Sequence, residues 1–192
     1  MTATKQLRGE HEGIKLMLSI LEKVARMVEA GEKLDLNHIE HMLEFFRIFV
    51  DKCHHGKEED LLFPELEKHG IQNEGGPIGV MLHEHVQGRK CIQGMVDALA
   101  RLRRGTGEGV RSFVENANDY ISLLRQHISK ENNVLFEMGD KVLSPKENGT
   151  LITAFEKLEV ERIGVGKHEE FHKLLNELQN IYLKERGEED RR

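Results

Sequence analysis

The sequence has no tryptophan, only two cysteines, and aromatic residues make up 5% of its 192 residues. Two cysteines form no disulfide framework, so we expect Cys53 and Cys91 to be reduced and the protein to be cytoplasmic. The net charge of −6 and the lack of a basic stripe argue against a nucleic-acid partner. No apolar run is long enough to span a membrane and the N-terminus lacks the apolar core of a signal peptide, so we expect no membrane partner.

Helix-forming residues dominate the composition of the chain. The periodic spacing of its apolar residues indicates four long helical segments and two short ones. Capping residues and glycines place the long segments at about 4–30, 35–68, 77–104 and 110–138, and the short ones at about 146–161 and 166–184. Short links between long helices are typical of an up-down-up-down bundle. We therefore predict an all-α fold, with a four-helix bundle in residues 1–140 and a short C-terminal helical extension, residues 141–192, packing on it.

Histidine is the unusual component, with eleven copies, and two histidines stand four residues before a glutamate. These pairs are His54 with Glu58 and His127 with Glu131. Positions i and i+4 lie on the same face of an α-helix. Each pair therefore aims an imidazole and a carboxylate at the same point in the bundle.

Helical register selects the histidines that face the core. In the second segment, His54 shares its face with apolar residues, whereas the face of neighbouring His55 carries charged residues. A buried face is apolar apart from satisfied polar groups, so we predict that His54 and not His55 points inward. The same test favours His85 over His83. The predicted inward set is His11, His54, Glu58, His85, His127 and Glu131.

This set has the composition of a metal site rather than of a structural polar core. Burying two ionised carboxylates without partners costs several kcal/mol each. No inward Lys or Arg on these faces could serve every group, although Arg89, at i+4 from His85, is one candidate partner. Mixed imidazole and carboxylate ligands suit iron, manganese or zinc, and six are too many for one tetrahedral zinc ion. A purely structural polar core remains the alternative to a two-metal site.

Taken together, these motifs resemble the hemerythrin-like (HHE cation-binding) domain family over about residues 5–138. The resemblance is carried by His11, by His54-His55-x-x-Glu58-Glu59 with Leu62-Phe63-Pro64, by Gly76-Pro77 with Glu84-His85 and Gly88-Arg89, and by His127-x-x-x-Glu131 with Leu135-Phe136. It implies a four-helix bundle around two iron ions joined by an oxo or hydroxo bridge. Glu58 and Glu131 would bridge the metals, with His11, His54, His85 and His127 as terminal ligands. Zinc or manganese would also suit this ligand set.

The third segment departs from the pattern of the oxygen carriers in that family, which have a His-x-x-x-His pair there. Met81 and Arg89 flank His85 at four residues' distance. One imidazole fewer leaves an iron open to water, to substrate or to a ligand from elsewhere in the chain. The resemblance then implies a protein that binds or reacts with a small diatomic ligand or peroxide: O2, NO or peroxide at an open iron position.

Other functions stay open at this point: an iron sensor or reservoir, an iron-centre repair protein, and an interaction module stabilised by zinc. Whether the protein is an enzyme, and its oligomeric state, are not determined by the sequence. His168 and His172, four residues apart near the C-terminus, are boundary residues of an amphipathic helix or additional metal ligands. The first interpretation is favoured.

Overall fold

The computed structural model describes residues 1–184, and every regular element in that range is a helix, which confirms the predicted all-α fold. The six helices are α1 (Ala3–Glu29), α2 (36–68), α3 (Pro77–Leu102), α4 (107–142), α5 (Pro145–Arg162) and α6 (Lys167–Tyr182). No helix within residues 1–184 is both long and apolar enough to cross a membrane. Residues 185–192, part of the predicted C-terminal extension, lie outside the described range.

The helix ends fall where capping chemistry predicts them. The Asp35 side chain accepts a hydrogen bond from the Asn37 backbone at the start of α2, and Gly70 follows its end with φ +84°. Pro77 occupies the first turn of α3, where its missing N–H costs nothing. Ser144 and Glu147 form a capping box that starts α5.

Two of the long helices contain π-helical stretches, in which the backbone hydrogen bond reaches one residue further than in an α-helix. Helix α2 consists of Leu36–Phe45, the π-helical stretches Phe46–His55 and Glu58–Leu62, and Phe63–Lys68. Helix α4 consists of Gly107–Lys130, the π-helical stretch Glu131–Leu135, and Phe136–Val142. These stretches coincide with the His-Glu motifs, and an α-helical reading of the sequence did not include them.

Helix α4 also runs further than predicted, because Gly139 does not interrupt it. A Cβ atom at this position would lie 3.2 Å from the Leu66 Cδ2 atom and 3.5 Å from the Thr4 Cγ2 atom. The glycine therefore serves close packing of α4 against α1 and α2, and the helix ends at Val142, just before the Ser144-Pro145 step.

Helices α1 to α4 pack around two apolar clusters that lie toward opposite ends of the bundle. Along α1, Leu7 belongs to one cluster and Ile14 to the other. Helices α5 and α6 add to the same clusters through Phe155 and Phe171 respectively, so they pack on the bundle. On α1, α2 and α3 the predicted site residues stand between members of the two clusters, and on α4 Glu131 stands between Ile128 and Leu135, with His127 just before Ile128. This places a polar layer across the middle of the bundle.

Candidate metal centre

All six side chains of the predicted set are buried in this polar layer. The most exposed of them, His127, has only 2% of its surface accessible, and Glu58 and Glu131 have none. The four histidines come from four different helices, and the two glutamates from the π-helical stretches of α2 and α4. The structure thus brings together all six residues of the predicted inward set.

The ligand atoms form two groups, which we call the His11 half and the His85 half. The His11 half contains His11, His54, Glu58 and Glu131, and the His85 half contains His85, His127, His55 and Glu58. Within each half these atoms lie within 4.8 Å of one another. Each of the two adjacent clusters could hold a metal ion.

Each glutamate spans both halves. The Glu58 Oε1 atom lies 3.5 Å from His54 Nε2, and its Oε2 atom lies 3.5 Å from His85 Nε2. Glu131 does the same from the opposite side, with 3.2 Å from Oε2 to His11 Nε2 and 3.2 Å from Oε1 to His127 Nε2. This is the placement that two bridging carboxylates require.

The Nδ1 atom of each of the four predicted histidines contacts a side chain of the preceding helix. These contacts form a closed ring around the bundle, because α4 supplies the partner for α1. Distances from Nδ1 to its partner oxygen are 2.8 Å for His54 to Glu10, 2.6 Å for His85 to Glu59, 3.0 Å for His127 to Glu84, and 2.8 Å for His11 to Asn132. In a neutral ring, donation from Nδ1 leaves Nε2 unprotonated, with its lone pair available to a metal at the centre. Outer partners of this kind orient metal-ligating histidines and raise their basicity.

The three carboxylates of this ring are each paired with a cation. Lys57 Nζ lies 2.7 Å from Glu10, Arg89 lies 2.6 Å from Glu59, and Lys130 contacts Glu84. Arg89 therefore acts on His85 through Glu59 rather than directly. These pairs keep the outer carboxylates ionised, and the pKa of Glu59 is lowered by its contacts to His85 and Arg89, which outweigh its burial.

His55 is the residue that the sequence analysis excluded and the structure places in the centre. It is 5% exposed, and its ring stacks on that of His85 with centroids 3.8 Å apart. An α-helical register directs His54 and His55 to different faces, but residues Phe46–His55 are π-helical, and both side chains reach the interior. The prediction that His55 faces away from the core was therefore wrong. The adjacent histidines and a preference for π-helix at functional sites were the only signals available.

Several buried polar atoms of the centre have no hydrogen-bond partner, which bears on whether these residues suit a metal. Neither carboxylate oxygen of Glu58 or Glu131 has a hydrogen-bond donor, and neither has the Nδ1 atom of His55. Buried carboxylates without donors are costly, and a bound cation removes that cost. Imidazole and carboxylate are ligands that suit first-row divalent metals. The residues present thus fit a pair of metal ions.

The charge state of the metal-free centre follows from burial and from the closeness of the two carboxylates. Burial, with the charge of Glu131 added, raises the pKa of Glu58 well above its usual value. Burial also opposes ionisation of Glu131, but His127 and His11 outweigh it and hold that pKa well below normal. Against its own burial, Glu131 and Glu84 raise the pKa of His127 to about 9. Burial lowers the pKa of His54 to about 4.

The two other sites considered in the sequence lie outside both halves. His168 Nδ1 lies 3.1 Å from Glu159 Oε1, and the His168 ring packs edge-on against Phe49. Both cysteines are free, and burial raises the pKa of Cys53 to about 12, so its thiol stays protonated. No thiolate therefore belongs to the centre.

Comparison with known proteins agrees with this geometry. The hemerythrin HHE cation binding domain matches residues 2–139. The chain belongs to the hemerythrin HHE cation-binding family. The matched range contains α1, α2, α3 and nearly all of α4, and so every residue of both halves.

Individual relatives cover the chain unevenly. An uncharacterized protein of Mycobacterium tuberculosis is 24% identical over 164 residues, which are 85% of this chain and 64% of that protein. The iron-sulfur cluster repair protein YtfE of Pectobacterium carotovorum is 35% identical over 89 residues, 43% of this chain and 38% of its own length. The YtfE of Pectobacterium atrosepticum matches to the same extent. The chain thus spans less than two thirds of the length of these relatives.

Proposed function

We propose that this hemerythrin-like chain holds two iron ions, one in each half, and binds or reacts with O2, NO or peroxide there. The observation that carries the proposal is the arrangement of Glu58 and Glu131. Both are fully buried and lack hydrogen-bond donors, and each has one oxygen near a histidine of the His11 half and the other near a histidine of the His85 half. Ferrous iron supplies electrons and an open coordination position to such small ligands.

The two halves offer different numbers of imidazoles, which bears on where a small ligand would bind. The His85 half has three with His55 included, whereas the His11 half has two. His55 thereby takes the place of the histidine that α3 lacks. More free coordination positions remain in the His11 half, so we assign the small ligand to it.

A cavity of about 350 Å³ lies near the His11 half, and a second of about 240 Å³ reaches the His85 half. The first is lined by Glu10, the outer partner of His54, and the second by His55 and His85 themselves. Both are large enough for a diatomic molecule or peroxide. Tyr120 and Arg89 also line the second cavity.

Metal analysis combined with stopped-flow absorbance tests the proposal. We expect about two irons per chain after aerobic purification, and a reaction of the diferrous protein with at least one of O2, NO and hydrogen peroxide. The variant His83→Ala, at an exposed histidine next to the centre in sequence, serves as the control and should behave as the original chain. No reaction at full iron loading would overturn the small-ligand part of the proposal.

A second candidate function is iron-centre repair, favoured by the 35% identity to the repair protein YtfE. In that case the iron-loaded protein should restore activity to an enzyme whose iron-sulfur cluster has been damaged by peroxide. A variant that cannot load iron, such as Glu58→Ala, should restore none. Equal recovery with free ferrous iron alone would remove this candidate.

A further inference from the structure

A buried chain of ionic contacts connects the His11 half to α5, outside the segment that matches the family. His54 Nδ1 lies 2.8 Å from Glu10, whose other oxygen lies 2.7 Å from Lys57 Nζ, and Lys57 Nζ lies 2.7 Å from Glu159 on α5. Lys57 has no accessible surface. A fully buried lysine is rare unless it is paired, and this one joins two carboxylates from different helices.

The backbone allows this approach at the residue before Lys57. A Cβ atom at Gly56 would lie 3.4 Å from Arg162 Nη1 and 3.7 Å from Leu158 Cδ2, both on α5. Helix α5 thus packs closely against α2 at the point where α2 carries Lys57 and Glu58. That packing brings the Glu159 carboxylate to the lysine.

The His11 half differs in this respect from the His85 half. The cations that hold Glu59 and Glu84 are Arg89 and Lys130, each with 40% of its side chain exposed, so water is able to replace part of their effect. Lys57 is shielded completely, and Glu10 is only 8% exposed. Loss of Lys57 leaves the Glu10 carboxylate buried without a cation, so its position and its hold on His54 depend on that one contact.

We propose that Lys57 is a positioning residue for the His11 half, and that Glu159 of α5 holds Lys57 in place, so that α5 takes part in building the metal centre. The inference rests on the proposed metal function and extends it to a residue outside the family segment. Lys57 fixes Glu10, and Glu10 fixes the tautomer and ring orientation of His54. The neighbouring Glu58 would be a ligand to both metals, so a single turn of α2 would carry both a ligand and the group that positions another ligand.

A two-site titration with Co²⁺, followed by its visible absorption, tests this inference in the full chain. Lys57→Met and Glu159→Gln should each weaken one of the two sites by about 10–100-fold, the usual effect of losing an outer partner, and leave the other unchanged. Lys130→Met is the matched control, because it removes the cation behind His127 and should weaken the opposite site. Lys57→Met should add nothing to His54→Ala, in which the His11 site is already lost.

A second readout is independent of metal. In the metal-free protein, nitrogen-15 NMR of the histidine rings should show His54 as the tautomer with the proton on Nδ1, and Lys57→Met should mix the two tautomers. Unchanged affinities at both sites, or an equal loss at both, would overturn the inference, and so would an unaltered His54 tautomer. If Lys57→Met does not fold, Glu159→Gln at its partly exposed position decides the question. If the unmodified chain binds no metal, the proposed function fails. The NMR measurement of the His54 tautomer then decides by itself whether Lys57 is a positioning residue.

Discussion

Each of the four long helices has one residue directed at the centre whose sequence neighbour reaches the next helix. Glu10 precedes His11, Glu59 follows Glu58, Glu84 precedes His85, and Asn132 follows Glu131. One residue of each pair points inward, and the other accepts the Nδ1 hydrogen bond of a histidine on the following helix. In each pair, one residue thus belongs to the centre and its neighbour belongs to the surrounding set of Nδ1 partners. A substitution at either residue therefore affects contacts between two helices.

Alanine substitution of the two adjacent histidines separates their roles. We predict that His54→Ala abolishes binding in the His11 half, which keeps only one imidazole. His55→Ala should retain two metals but lower the affinity of the His85 half by at least about tenfold, the lower bound for loss of even an outer partner. Metal titration by isothermal calorimetry measures both. Unchanged binding in His55→Ala would return that residue to a packing role against His85.

The metal-free protein should become more stable when Glu58 is made neutral. Its raised pKa means that the folded chain favours the protonated carboxyl, so this group stabilises the fold below about pH 4.5 and that contribution is lost as the pH rises through the folded pKa. Glu58→Gln removes that loss at pH 7. We expect a gain on the order of 1 kcal/mol, or about 2–4 °C in Tm for a chain of this size.

The same variant should bind neither metal tightly, since Glu58 serves both halves. Thermal unfolding by circular dichroism, with and without added iron, checks the two expectations together. A metal-free Glu58→Gln protein that melts below the original chain would argue against a raised Glu58 pKa. Glu137→Gln, at a half-exposed carboxylate on α4, is a suitable control.

At the scale of helices, local signals in the sequence defined the elements well. Asp35 and Gly70 bound α2, Pro77 starts α3, and Ser144 starts α5, because caps, positive-φ glycines and proline act over only a few residues. The inward set followed from 3.6-residue periodicity, and the structure buries all of it.

The remainder of the site depends on features without such a local signal. The π-helical stretch Phe46–His55 departs from 3.6-residue periodicity, so an α-helical register predicts the wrong face for His55. Lys57 is a buried partner of Glu10 only because α5 approaches α2 at Gly56, and no local pattern in the sequence indicates that approach. Contacts between segments distant in sequence determine whether such residues are buried. Neither the composition of the chain nor the spacing of its residues predicts those contacts.

The π-helical stretch of α2 should be required for the metal centre. Deleting Lys52, an exposed residue within it, shortens the stretch by one residue and rotates His54, His55 and Glu58 relative to the residues before them. We predict loss of both metals with most of the helical circular dichroism retained, whereas Lys52→Ala should bind metal normally. Full metal binding by the deletion variant would show that the π-helical geometry is dispensable.

For the molecule as a whole, the polar layer lies between two apolar clusters, so metal binding and folding are coupled. Without metal, two buried residues contribute to the stability of the fold over opposite pH ranges. The depressed pKa of Glu131 gives stability that is present above about pH 4.5 and is lost on acidification. The raised pKa of His127, about 9, gives stability that is present below about pH 6.5 and is lost as the pH rises through 9.

Metal binding must displace protons from this centre. A ligating imidazole is neutral, so His127 gives up its proton, and Glu58 gives up the proton that its raised pKa retains in the metal-free protein. Metal affinity should therefore rise with pH across the range in which His127 is protonated in the metal-free protein, up to about pH 9. The same competition makes occupancy fail on acidification.

The difference in Tm between metal-loaded and metal-free protein should consequently widen between pH 6 and pH 9. Two effects add. The metal-free protein loses the stability that protonated His127 contributes, and metal binds more tightly because it has fewer protons to displace. Differential scanning calorimetry at several pH values measures the difference. Titration calorimetry in buffers of unequal ionisation enthalpy counts the protons released, for which we expect one to two per chain at pH 7. The His83→Ala chain should give the same values, because that histidine is exposed and outside both halves. A constant difference in Tm with no proton release would place the bound metal somewhere other than the buried centre.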